Sequence, residues 1–342
     1  MPRWRRRLIV AFALIALALG PFVVTSGVLA YRFNRAVERD DVLAEASALP
    51  RITVRPEYTA SPWSLVAPGA GSAQNLLILG VDTRKGWTAA ESRSDTIMLV
   101  HLDADRTAAT VVSFPRDSYV YVPPVPGKWS GGKTKINAAY AWGGAPLVVQ
   151  VVSHLTGLSV DHVIRADFAA IRAVTDAVGG VEVRIDRTVR DGRTGFVFRA
   201  GRQVLDGRRA EIYVRQRYGL PDGDFDRVRR QQQYLRALAA KVTSPAVLAN
   251  PLKLNSLIMT AGGALVIDQG LDLATMAGEL SGLRADDLYF TTIPSDGFVS
   301  SASGTANRLS ESGCAELFTA LQTDEMAEYF TRHESFSGLT GR

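Results

Sequence analysis

The hydrophobic pattern divides the chain before any single residue is weighed. An uncharged, largely apolar run from Leu8 to Ala30 stands first, longer than the ~20 residues that carry a helix across a bilayer. From residue 32 to 73 the pattern breaks up around Pro50, Pro56, Pro62, Pro68 and the Gly/Ser-rich APGAGSAQ, which predicts a stalk that begins with a short helix through VERDDVLAEASAL. Residues 74–342 then form one body. In it NLLILGVD, DTIMLVHLD and ATVVSFP read as strands, the first two buried on both faces. Apolar positions at helical spacing predict one helix from Pro146 and a second capped by Asp167 that ends at Gly179-Gly180 and feeds the strand VEVRI. The C-terminal third predicts helices over SPAVLANPLKLNSLIM and DLATMAGELSGL, a strand at LYFTTIP and a closing helix over ESGCAELFTALQTDEMAEYF.

The stretch from Gly201 to Leu238 crowds Arg215, Arg217, Arg227, Arg229 and Arg230 around Asp222, Asp224 and Asp226. Alternation in EIYVRQR predicts a strand with Tyr213, Arg215 and Arg217 on one face. After YGLPDGD the period becomes helical, with Val228, Leu235, Leu238 and Val242 as the apolar stripe. Arg227, Arg230, Gln231 and Tyr234 cluster at i, i+3, i+4 and i+7, and Asp224 or Asp226 is the expected N-cap. Several fixed guanidinium groups facing one space suit an anion with many oxygens, a phosphate or pyrophosphate. A solvated charged face is the competing reading.

Charge sharpens the picture. The net charge of +5 raises the question of nucleic acid. Residues 1–39, however, hold seven basic groups and one acidic, which leaves 39 − 7 = 32 basic against 34 − 1 = 33 acidic beyond them. The body is near neutral, and nucleic-acid binding is not expected. Arg3, Arg5, Arg6 and Arg7 ahead of the apolar run predict a cytoplasmic N-terminus and an uncleaved signal anchor over residues 1–31, with the body outside the cell membrane. A cleavable signal peptide is the alternative. Cys314 is the only cysteine, so no internal disulfide forms, and His154 and His162 lack ligand-spaced partners, so no zinc site is expected.

Polar residues gather at the predicted strand ends. If the first two strands are antiparallel neighbours, Asp82 and Asp95 meet at one sheet edge, a geometry that suits magnesium, which takes one or two carboxylates and completes its shell with water and phosphate oxygens. Arg116 and Asp117 close the third strand, Arg84 and Arg93 lie in the intervening loop, and Lys135 or Lys133 follows in the next segment.

NLLILGVDTR, SRSDTIML, SFPRDSYV, KINAAYAWGG, VDHVIRADF, VGGVEV, LDGRRAEIYVRQR and GDFDRVRRQQ, in that order, resemble the LytR-CpsA-Psr family of membrane-anchored cell-wall assembly enzymes. The resemblance covers about Asn75 to Ala240. It implies an α-β-α sandwich around a central mixed sheet, behind one transmembrane helix. It also implies a phosphotransferase that moves an anionic glycopolymer from a polyprenyl-pyrophosphate carrier to peptidoglycan. Magnesium is implied with Asp82 and Asp95 as ligands, with Arg93 matching the arginine beside the second aspartate; Arg84, Arg93 and Lys135 are, from their positions in the chain, further candidates for the pyrophosphate. Arg116 matches the PRD arginine, Arg215 and Arg217 the R-x-R pair, Asp224 and Arg227 the D-x-x-R pair, and Gln231 the glutamine one turn later. Two departures stand out: Glu211 where an apolar residue is expected, and Asp226 where a small one is expected beside the pocket. Asp224 or a metal-bound carboxylate would serve as the base, and the apolar helices at 146–156 and 167–178 are candidates for a lipid slot. A non-catalytic module binding wall polymer or lipid carrier is the alternative from another class, and a secreted phosphatase a weaker third.

Overall fold

The computed structural model describes residues 35–54, 58, 73–81, 94–248, 250–280 and 282–333. The expected anchor, most of the expected stalk, and Asp82, Arg84 and Arg93 lie outside the described residues. No helix among the described residues is long and apolar enough to cross a membrane.

A seven-stranded mixed sheet organises the body. Its strands are β1 (Glu38–Asp40), β2 (Gln74–Val81), β3 (Ser94–Leu102), β4 (Ala109–Phe114), β7 (His162–Asp167), β12 (Leu265–Asp268) and β13 (Leu288–Thr292), in the order β1-β12-β7-β2-β3-β4-β13. β3 runs antiparallel to both β2 and β4, whereas β7 is parallel to β2. Two-sided burial explains the unbroken apolar runs of the central strands. Leu77, Leu79, Ile97, Leu99 and Val112 face the larger core, and Ile78, Met98, Val111 and Phe290 face the opposite side. Two further strand pairs, β5 (Tyr119–Val122) with β6 (Gly132–Lys135) and β14 (Ser295–Ser301) with β15 (Gly304–Leu309), are antiparallel hairpins. β8 (Val181–Ile185) pairs with β11 (Gly201–Leu205), and β9 (Val189–Arg190) with β10 (Val197–Phe198), so VEVRI forms a strand outside the central sheet.

Helices cover both faces. α1 (Val42–Ala48), α2 (Asn137–Thr156), α9 (Glu311–Gln322) and α10 (Met326–Arg332) supply Val42, Val148, Val152, Leu317, Phe318 and Tyr329 to the larger core. The other face carries α3 (Phe168–Ala177), α4 (Gly207–Arg215), α5 (Asp224–Val242), the short α6 (Pro245–Leu248) and α7 (Pro251–Gly262). α8 (Leu273–Leu280) places Met276 in a small cluster beside β12. The expected fold class, an α/β sandwich with a mixed sheet at its centre, is the one observed.

Several local expectations need correction. EIYVRQR is not a strand: residues 207–215 are helical, with Asp206 accepting a hydrogen bond from the Arg209 backbone N–H at 2.8 Å as N-cap. Ala210, Tyr213 and Val214 are buried at i, i+3 and i+4, a helical period hidden inside an apparent alternation over too few residues to separate the two. Neither Asp224 nor Asp226 caps α5; Gly223 is the N-cap, at φ 53°, and both aspartates lie in the first turn. The helix expected from Pro146 begins earlier, at Asn137, and bends at Gly144, where φ is 65°; Pro146 opens the segment beyond the bend, where its missing N–H does no harm. The start of the expected stalk joins the body, since Glu38–Asp40 pairs with β12 and Val42 is buried. The closing helix is broken at Asp324, at φ 59°.

Candidate functional site

At the ends of β3 and β4, one aspartate and one arginine meet as the strand pattern foretold. Arg116 Nη1 lies 2.5 Å from Asp95 Oδ1, and its Nε is 3.7 Å from Asp117. α5 brings the second pair: Arg227 Nη2 is 2.5 Å from Asp224 Oδ1 and 3.4 Å from the Asp95 backbone carbonyl. Arg227 is 4% exposed, so this contact ties the D-x-x-R segment to β3 in a place largely shut off from water.

Electrostatics confirm how closely these groups share space. Burial raises the Asp224 pKa above the ordinary carboxylate range, aided by Asp117 and Asp95 and opposed by Arg227 and Arg116. Burial also works against the Arg116 charge, yet Asp95, Asp117 and Asp224 more than offset it and raise its pKa. For Arg227 burial prevails and the pKa falls, with Arg116 and Arg217 pushing the same way. Arg217 donates to the Tyr218 hydroxyl at 2.6 Å, and that bond, with the charges of Arg217 and Arg116, holds the phenol below its ordinary pKa. Arg116, Arg217 and Arg227 therefore act on common neighbours from three separate segments.

These three arginines line one cavity of about 440 Å3 with Asp95, Arg215 and Gln231. Arg215 stacks over the Phe168 ring at 4.3 Å and pairs with Glu211 at 2.8 Å. Glu211 thus acts from a helix as the counter-ion of an R-x-R arginine. Gln231 is buried and donates to the Val214 carbonyl at 3.2 Å. Not every expected residue reaches the cavity wall. Lys135 sits behind it, 3.4 Å from Asp117. Asp226 is half-buried away from this cavity and pairs with Arg229 while accepting from the Asp222 N–H at 2.9 Å, so the charge expected beside the pocket is neutralised outside it. Arg230 is buried between Tyr213, at 4.4 Å, and Phe198, at 5.4 Å.

A second cavity, of about 280 Å3, adjoins the first at Phe168 and Gln231. Ile78, Met98 and Ile164 form its sheet side, and Ile171, Val174, Leu235 and Leu238 its helix side. Of the two helices suggested as lipid slots, the one at 167–178 lines this space. The helix at 146–156 instead fills the core on the opposite face of the sheet.

The residues fit a hard divalent cation. Asp95 engages Arg116 through Oδ1 alone among the described residues, and beside it Asp224, whose Oδ1 faces Arg227, keeps Oδ2 shielded from water without a hydrogen-bond donor. Magnesium takes few carboxylates and completes its shell with phosphate and water. The signal that sequence reasoning missed is the donor-free Oδ2 of Asp224, which depends on burial rather than on any motif.

The profile of the LytR_cpsA_psr family matches residues 43–323. The chain belongs to the LytR-CpsA-Psr family. It is 34% identical over 280 residues to the cell wall biosynthesis protein LcpA of Corynebacterium glutamicum, covering 70% of this chain and 52% of the relative. It is also 34% identical over 177 residues to the polyisoprenyl-teichoic acid–peptidoglycan teichoic acid transferase TagU of Enterococcus faecalis, covering 52% of this chain and 56% of that one. The chain thus spans about half the length of these curated relatives. Among solved structures, B. subtilis TagV superposes with a TM-score of 0.61 at 25% identity, over 75% of this chain and 98% of TagV. TagT bound to LI-WTA gives 0.59 at 25% identity, over 81% of this chain and all of TagT.

Proposed function

We propose that this LytR-CpsA-Psr protein transfers an anionic glycopolymer from a polyprenyl-pyrophosphate carrier to peptidoglycan at the outer face of the cell membrane. The observation that carries the reading is that a cationic cavity and an apolar one lie against each other, with Phe168 and Gln231 lining both. A lipid pyrophosphate has that same division, a charged head and a hydrocarbon tail. The names of its relatives support the polymer and acceptor class, since TagU is a transferase of teichoic acid to peptidoglycan.

In this mechanism Arg116, Arg217 and Arg227 hold the pyrophosphate oxygens, and Arg215 adds a fourth cation braced by Phe168 and Glu211. Fixed guanidinium groups offer paired donors and need no reorganisation as charge moves. An acceptor hydroxyl attacks the sugar-proximal phosphorus, a new O–P bond forms, and the bond to polyprenyl phosphate breaks. The leaving phosphate departs with the bridging oxygen and its electron pair. Asp224, whose raised pKa suits proton acceptance, takes the hydroxyl proton. Asp95, with Asp82 of the GVD motif, would hold magnesium, which when bound would neutralise phosphate charge.

The test is release of polyprenyl phosphate from a lipid-pyrophosphate glycan in the presence of peptidoglycan, with and without magnesium, for the wild type, Arg116→Ala and Arg217→Ala. The reading predicts turnover that needs magnesium and falls in both variants. Wild-type turnover no higher than theirs would favour the non-catalytic binding module.

A further inference from the structure

The cationic cavity has more arginine than a pyrophosphate needs. Beyond Arg116, Arg217 and Arg227, its wall includes α4 and the loop between β9 and β10. Arg208, Glu211, Ile212 and Arg215 follow one another at i, i+3, i+4 and i+7, so a single face of α4 lines that wall. Across from them stands Arg193, at the tip of the loop between β9 and β10. That loop is held in shape from within: Asp191, only 3% exposed, accepts from the Thr194 N–H at 2.7 Å and from the Thr194 hydroxyl at 2.5 Å. The Gly195 N–H donates to the Asp191 carbonyl, and Gly195 takes φ 73°.

Charge on this wall is only partly compensated. Glu211 serves two arginines, Arg215 at 2.8 Å and Arg172 at 3.3 Å, and the Asp191 carboxylate is engaged by Thr194. Among the described residues, no carboxylate lies within ion-pair distance of either Arg193 or Arg208, although both line the cavity. Two unpaired guanidinium groups in one concavity raise the local potential for anions and keep their donors free.

We infer that Arg193 and Arg208 form a second anion subsite, distinct from the pyrophosphate subsite, that binds an acidic group carried by a saccharide, a phosphate or a carboxylate. This deepens the proposed transfer reaction and rests on it for its role, though not for its existence. The acidic group has two possible sources in that reaction, the glycan being transferred and the peptide-bearing acceptor strand, and one chemistry recognises both. Arg193 and Arg208 are exposed and brace no packed element, so their replacement leaves the fold intact.

The experiment is equilibrium titration of the full chain and of an Arg193→Gln/Arg208→Gln double variant with three probes at low and moderate salt. The probes are geranyl pyrophosphate, a short glycerol-phosphate oligomer and a muramyl disaccharide pentapeptide. The expected result is that the variant binds geranyl pyrophosphate within about twofold of wild type and melts at the same temperature. It should lose about tenfold in affinity for one acidic saccharide-type probe, with a shallower salt dependence. Loss confined to the glycerol-phosphate oligomer assigns the subsite to the donor glycan, and loss confined to the muramyl peptide assigns it to the acceptor. Unchanged affinity for both overturns the proposal, and so does an equal loss for geranyl pyrophosphate, which would place the two arginines in the pyrophosphate subsite. Failure of the wild type to bind geranyl pyrophosphate sinks the function reading instead, and leaves the other two titrations to decide the subsite.

Discussion

Arg230 Nη1 donates to Gln216 Oε1 at 2.6 Å, and Gln216 is the residue between the two arginines of the R-x-R pair. Gln216 is 1% exposed and hands its own N–H groups to the carbonyls of Arg190 and Tyr218, at 3.2 and 3.3 Å. The chain turns away just beyond at Gly219, φ 80°, where a side-chain Cβ would stand 2.5 Å from the Arg190 carbonyl. The buried amide thus pins the segment from which Arg215 and Arg217 project, and Arg230 fixes the amide.

Replacing Arg230 by Met should leave the Gln216 oxygen buried without its donor, and we expect a stability loss of about 1–3 kcal/mol in urea unfolding. Affinity for geranyl pyrophosphate should fall severalfold through loss of pre-organisation, although Arg230 does not line the cavity. Lysine should not restore it, because an ammonium lacks the planar fork that stacks between Tyr213 and Phe198. Stability and affinity equal to wild type would contradict the pinning role.

Arg116→Ala and Arg227→Ala should separate function from folding. Both remove a cavity cation, and each should lower turnover by about 10²–10³-fold. Arg227 is the more buried of the two, at 4% exposed, and is paired with the largely shielded Asp224; its loss strands that carboxylate, and removal of one partner of a buried pair costs about 3–5 kcal/mol. Thermal melts of the two variants check this, and a similar melting temperature for both would contradict it.

Val174→Trp should fill the apolar cavity between α3, α5 and the sheet. Affinity for a long prenyl pyrophosphate should then drop about tenfold or more, as buried hydrocarbon is lost, while inorganic pyrophosphate binds as before. Competition binding with the two probes reads the difference.

Much of this arrangement was legible in the chain. Two-sided apolar runs located β2, β3 and β4, and polar residues just past their ends located Asp95 and Arg116. A helical period from residue 227 onward placed Arg227 and Gln231 on one face. What escaped were features fixed by tertiary packing. Residues 211–217 alternate as a strand would, yet Asp206 and the burial of Tyr213 and Val214 make residues 211–215 the end of a helix. β12 and the β14–β15 hairpin are short and only partly apolar, so their strand pairing carries them rather than their pattern. Arg230 looked like one more anion ligand, and only the aromatic rings around it reveal a brace.

Cys314 should be unreactive in the folded chain. It is fully buried in α9, and burial together with the Asp296 charge pushes its thiol pKa up to about 12. A raised thiol pKa disfavours the thiolate throughout the ordinary range, so alkylation near pH 8 should be negligible without denaturant and rapid in urea. Prompt labelling of the native protein would contradict the burial of Cys314 in the larger core.

The central claim is that cations from β4, the R-x-R segment and α5 serve one pyrophosphate whose tail lies beneath α3. Electron density for a prenyl pyrophosphate soaked into crystals of this protein with magnesium tests it most directly. The account predicts phosphate oxygens within hydrogen-bond reach of Arg116, Arg217 and Arg227, the hydrocarbon passing Phe168 and Gln231 toward Val174 and Leu238. Phosphates bound elsewhere, or a tail lying on the protein surface, would contradict it.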